Sequence, residues 1–214
     1  MKTTCIAGKY SSTLSASAVS TCLSCPEGTY STTVGASSIS NCLSCDDGYW
    51  STVGTSSCSL VCGAGSYCSG GIKTSCPAGT YSANTIASSI SNCMNCDAGK
   101  YSSSIGATLS STCVNCADGK WSSAGTGAAC TSNCGAGYYC SGGVKTVCIA
   151  GKYSSTTSAS SLSNCLPCTA GKYCPEGIEI PCAAGRYFFI FYSLISRTKS
   201  TLLLLILFYI FSSF

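Results

Sequence analysis

The chain has 214 residues, 21 of them cysteine and 23 glycine, with only 8% charged and a formal charge of +4. It contains no histidine, which removes histidine acid–base chemistry, histidine metal ligands and a histidine pH switch. Eight Lys stand against seven acids before Cys182, so no basic footprint for nucleic acid exists.

Cysteine at this density, set among Ser, Thr and Gly, marks a disulfide scaffold. The first group, residues 1–75, opens with two long units, Cys5 to Cys22 and Cys25 to Cys42, each enclosing 16 residues. A medium unit, Cys45 to Cys58, and a short one, Cys62 to Cys68, complete it. The second group, residues 76–147, repeats the order with Cys76 to Cys93, Cys96 to Cys113, Cys116 to Cys130 and Cys134 to Cys140. The third, residues 148–187, is shortened to Cys148 to Cys165, Cys168 to Cys174 and an eleventh opening at Cys182. Group starts recur every 71 or 72 residues, and loss of whole units without damage to their neighbours is typical of a tandem array.

Each opening cysteine is followed by glycine at +3 and an aromatic at +5. The glycines are Gly8, Gly28, Gly48, Gly65, Gly79, Gly99, Gly119, Gly137, Gly151, Gly171 and Gly185. The spacing predicts a positive-φ turn at each glycine, after which the aromatic begins an extended Ser/Thr-rich stretch. An aliphatic three before the closing cysteine (Val19, Ile39, Ile90, Leu162) is expected to cover one side of the bridge. One aromatic and one aliphatic per unit bury far too little to order about 20 residues. The cysteines must therefore supply the core, each bridge restricting the unfolded chain. The expected fold is small and disulfide-rich: an elongated tandem array of short β-hairpin modules with little regular secondary structure.

Five C-x-x-C pairs (Cys22/Cys25, Cys42/Cys45, Cys93/Cys96, Cys113/Cys116, Cys165/Cys168) raise zinc as an alternative. A four-cysteine zinc assignment strands Cys5, Cys58, Cys62 and others. Sequential pairing uses all but one, as Cys5–Cys22, Cys25–Cys42, Cys45–Cys58, Cys62–Cys68, Cys76–Cys93, Cys96–Cys113, Cys116–Cys130, Cys134–Cys140, Cys148–Cys165 and Cys168–Cys174. Cys182 is left unpaired. Spacing alone proves neither connectivity nor redox state, and a zinc-binding or thiol-redox protein remains the alternative. The redox version lacks a βαβ context. The acids are scattered and form no catalytic pair, so no enzyme and no cofactor are expected. Asp46/Asp47 offer a calcium option.

The stretch Cys148-IAGKYSSTTSASSLSN-Cys165-LP-Cys168 resembles the ephrin-receptor-like cysteine-rich repeat, of the growth-factor-receptor and tumour-necrosis-factor-receptor type modules. The resemblance covers residues 1 to about 187. It implies stacked, β-rich, disulfide-stapled modules in the ectodomains of surface receptors or secreted modular proteins, with a protein or glycan ligand that it does not name. It brings no kinase, since the catalytic-loop histidine is absent.

Such bridges need an oxidising compartment, yet no signal peptide precedes the first repeat. Met1 stands where Ile72 and Val144 stand in later copies of the same phrase, so the chain reads as a slice of a longer extracellular or cell-surface protein. Residues 188–214 form a hydrophobic tail, with apolar runs at 187–195 and 202–211 split by Arg197 and Lys199. A hydrophobic helix anchoring the chain through 187–214, a glycolipid-anchor signal and an aberrant C-terminus all fit this tail.

Overall fold

A computed structural model describes residues 4–13 and 19–183. Residues 1–181 form one compact unit and 182–214 a second, of which Cys182 and Ala183 are described. The expected hydrophobic tail and Gly185 lie outside the described residues, among which no helix is long and apolar enough to cross a membrane.

The compact unit is a tandem series of small hairpins. Nine two-stranded antiparallel sheets follow one another, with single-turn 3₁₀ segments as the sole helical elements among the described residues. Ten disulfides pair Cys5–Cys22, Cys25–Cys42, Cys45–Cys58, Cys62–Cys68, Cys76–Cys93, Cys96–Cys113, Cys116–Cys130, Cys134–Cys140, Cys148–Cys165 and Cys168–Cys174. Their Cα–Cα distances, 5.5–6.1 Å, lie within the ordinary range. Cys182 is a half-buried free thiol.

The hairpin explains why C-x-x-C recurs. In the first unit Lys9–Tyr10 pairs with Leu23–Ser24, the dipeptide between closing Cys22 and opening Cys25. Thr29–Tyr30 pairs in the same way with Leu43–Ser44, and Tyr81 with Met94. The two intervening residues are thus the return strand, one bridge ending before it and the next beginning after it. The next opening cysteine then closes the hairpin, its N–H donating to the +3 glycine carbonyl. This bond repeats nine times at 2.8–3.1 Å, from Cys25 on Gly8 to Cys168 on Gly151.

Two of the three short units keep the hairpin but lengthen it. Ser66–Ser69 pairs with Ile72–Ser75, and Tyr138–Ser141 with Val144–Val147. Both turn through Gly-Gly, with φ of +59° and +76° at Gly70 and Gly71. Positive φ at both central residues is what a tight type I′ hairpin demands.

The interior holds sulfur and small side chains. Cys25, Cys62, Cys68, Cys76, Cys134 and Cys140 are fully buried, as are Ala87 and Ser31. The aliphatics expected over the bridges are elsewhere: Ile39, Ile90 and Leu162 are about half exposed. Each instead starts a single 3₁₀ turn (Ile39–Asn41, Ile90–Asn92, Leu162–Asn164). The residue turned inward is the alanine three positions earlier, Ala36, Ala87 or Ala159. A one-hairpin-thick unit filled by a disulfide has room for a methyl group there, not for an isobutyl or sec-butyl one.

Candidate functional site

Function in a tandem array starts from what holds one unit on the next. The +3 glycine N–H donates to the carbonyl six residues after the next opening cysteine: Gly8 to Ser31, Gly79 to Ser102 and Gly137 to Ser154, each 2.7 Å. The +6 residue in turn donates to the following unit, as Ser11 to Ala36 and Ser82 to Ala107, each 3.0 Å. Short units place a cysteine at +6, and the same bonds form: Gly48 to Cys68 at 3.1 Å and Cys68 to Ala87 at 2.8 Å. In two units the +6 hydroxyl adds a rung, Ser51 Oγ donating to the Thr29 carbonyl and Ser122 Oγ to that of Lys100, both at 2.9 Å.

The +3 glycines do more than turn the chain. All ten described ones have φ between +75° and +86°. A Cβ on Gly28 would also stand 2.6 Å from the carbonyl oxygen of Gly70, two units on, and one on Gly48 would stand 2.7 Å from that of Ile86. The units therefore contact their second neighbours as well as their first. Gly151 and Gly171, in the last two described units, meet nothing within 4 Å among the described residues.

Two features went unread in the sequence. Asparagine before the closing cysteine completes a capping box: Asn92 Oδ1 accepts from Ser88 N at 3.0 Å and Ser89 N at 3.1 Å, and Asn164 does the same for Ser160 and Ser161. The signal was present as S-x-x-N-C, a short-range pair typical of helix starts. The second feature is buried Ser or Cys at +6, visible in the text only once the ladder is known.

Chemistry that is not repeat scaffolding concentrates where a medium unit meets a short one. Medium units carry Trp in place of Tyr. The indole N–H of Trp50 donates to the Val61 carbonyl and that of Trp121 to Asn133, both at 3.2 Å. Lys73 lies 5.6 Å from the Trp50 ring centre, and Lys145 lies 5.4 Å from Trp121 and 4.1 Å from Tyr138. These are cation–π distances. Beside Trp121 a cavity of about 230 Å³ opens between residues 121–123 and the loop from Thr126 to Ser132.

The two medium units differ there in a way that explains the cavity. The second encloses one more residue, and its small Gly127-Ala128-Ala129 replaces Ser56-Ser57. Ser132 and Asn133 stand where the first unit has Leu60 and Val61. Tyr49–Trp50 accordingly pairs with Leu60–Val61 as a two-residue sheet, whereas Lys120 and Asn133 form only a single bridge. Lys120 Nζ fixes that bridge by donating to Asn133 Oδ1 at 2.6 Å and to the Thr131 carbonyl at 3.1 Å.

One ion pair closes the last described hairpin. Lys172 Nζ donates to Glu179 Oε2 at 2.6 Å, while Thr169 N–H donates to Oε1 at 2.9 Å. The bond from Lys172, then that from the Thr169 backbone, lowers the Glu179 pKa, and Glu179 raises that of Lys172. Asp46 and Asp47 are both exposed, and no cluster of three or more His, Cys, Asp or Glu that could hold a metal occurs among the described residues.

Neither a comparison with protein-family models nor one with curated proteins finds a match to this chain. The architecture itself is that of a disulfide-bonded cysteine-rich repeat protein, with tandem antiparallel hairpins.

Proposed function

We propose that the chain is part of a non-catalytic extracellular repeat protein, its array serving as a spacer, adhesion surface or ligand-binding ectodomain of a surface or secreted modular protein. The observation that carries this reading is the use of 20 cysteines in ten intrachain bridges, with one thiol left over. That many bridges form and persist in oxidising compartments. The resemblance to ephrin-receptor-like repeats supports the same setting. Each C-x-x-C pair joins two different units, so neither thiol is poised opposite its neighbour for exchange. Partners fitting this reading are a protein or a glycan.

The test is topological. An antibody against the array, applied to intact cells that make the protein, is expected to stain the outer surface or the medium. Staining that requires permeabilisation, with free cytosolic thiols, would overturn the reading.

A further inference from the structure

We propose that the cavity beside Trp121 is a binding site for one neutral sugar ring of the hexopyranose class. This deepens the ectodomain reading and rests on it.

Five observations converge. The Trp121 indole forms one wall, and an aromatic face is the natural seat for the C–H face of a sugar. Ser123, Thr126 and Ser132 share the lining, the Thr126 hydroxyl donating to the Ser123 carbonyl at 2.7 Å, which gives a few polar residues on a mostly small-residue surface. No charged side chain lines the cavity. Lys120, next to Trp121 in the chain, is committed to Asn133 and Thr131, and Lys145 to the two aromatic rings, so the lining offers an anionic ligand no counter-charge. At about 230 Å³ the volume is below the roughly 300–1,000 Å³ of drug-sized pockets and suits a single ring. Ala128 and Ala129 also line the cavity, leaving the ring space that larger side chains would take.

The geometry also assigns the site to this unit and not to its counterpart. Trp50 has the same lysine partnership, but Leu60 and Val61 stand in place of the hydroxyl and amide residues, and the loop is one residue shorter. Binding is by hydrogen bonds and ring stacking alone, with no covalent step.

The experiment uses the full chain, secreted with its bridges verified by mass, carrying Trp50→Phe so that Trp121 is its one tryptophan. Its emission is titrated with the methyl glycosides of glucose, galactose, mannose and N-acetylglucosamine, and with glucuronate as the charged control. At least one neutral glycoside is expected to give a saturable change, half-complete at about 1–10 mM as for a weak single-ring site. Ala129→Leu, which adds an isobutyl group to the lining, is expected to weaken that binding at least tenfold. Ser123→Ala, a milder change that decides the matter should the leucine variant not be secreted, is expected to weaken it about threefold. No saturation with any neutral glycoside, equal binding of glucuronate, or binding unchanged in the variants would overturn the site. A fully bridged protein that binds no sugar sinks this site alone, whereas free thiols sink the ectodomain reading beneath it.

Discussion

The unit opening at Cys25 and the unit opening at Cys168 are built from the same turn and end differently. Both place a positive-φ glycine at +3, Gly28 and Gly171, with φ of +80° and +81°. Both return through the dipeptide or strand that precedes the next opening cysteine. The first closes its bridge 17 residues on, at Cys42, and keeps buried Ser31 at +6. The second closes 6 residues on, at Cys174, which itself occupies +6. The inter-unit ladder passes through either residue unchanged, because it uses the +6 backbone. The bridge can thus move along the unit as long as glycine, aromatic strand and ladder stay in phase. Gly28 is also pressed against a carbonyl two units away, whereas a Cβ on Gly171 would meet nothing within 4 Å among the described residues.

The largest effect should come from the two glycines. Gly28→Ala combines left-handed strain with a backbone clash and is expected to cost more than about 3 kcal/mol, enough to block secretion of the bridged protein. Gly171→Ala meets no such clash among the described residues; with left-handed strain of about 1–2 kcal/mol alone it should still be secreted with all ten bridges. Equal losses from both would remove second-neighbour packing from the account.

The bridges themselves come next. Replacing Cys25 and Cys42 together by serine is expected to destabilise the array by about 3 kcal/mol, and Cys168 with Cys174 by about 2 kcal/mol, since the shorter loop restricts the unfolded chain less. Denaturant unfolding of the secreted proteins reads the difference. A larger loss from the short bridge would show that native-state packing, and not loop closure, sets its contribution.

Ser51→Ala removes the hydroxyl that bonds the Thr29 carbonyl from the following unit. It is expected to cost about 1 kcal/mol, seen as faster amide exchange around Gly28 and Ser51 with little change at Gly171.

The smallest effect is a pH response confined to the Cys168 unit. Glu179 has a depressed folded pKa, so its stabilisation is present above the ordinary carboxylate value and lost as pH falls through the depressed one. Lys172 has a raised pKa, so its share is present below the ordinary lysine value and lost as pH rises through the raised one. An NMR titration of the Glu179 carboxyl should give a midpoint below the usual glutamate value of about 4.3, moving upward in Lys172→Ala. The Cys25 unit has no such pair across its hairpin among the described residues.

Much of this architecture was legible because it is written many times. Repeated cysteine spacing, with glycine at +3 and an aromatic at +5, announced bridged hairpins without any long-range inference. Burial was legible only in part. Ile39 and Ile90 look like core by their apolarity, but a hairpin filled with sulfur has no volume for them, and Ala36 and Ala87 take the inward places. The contact of Gly28 with Gly70 depends on how successive units rotate, which no residue pattern encodes. The Trp121 cavity was hidden for a related reason. It arises from small residues and one extra position in a loop, in a unit whose counterpart at Cys45 looks nearly identical in text.

Bridges, not free thiols, make this fold. The most direct measurement is the intact mass of the natural protein, alkylated before and after reduction, with zinc assayed on the same sample. Ten bridges are expected, appearing as 20 cysteines that alkylate only after reduction, with no stoichiometric zinc. Twenty or more thiols alkylated without reduction, accompanied by bound zinc, would contradict it.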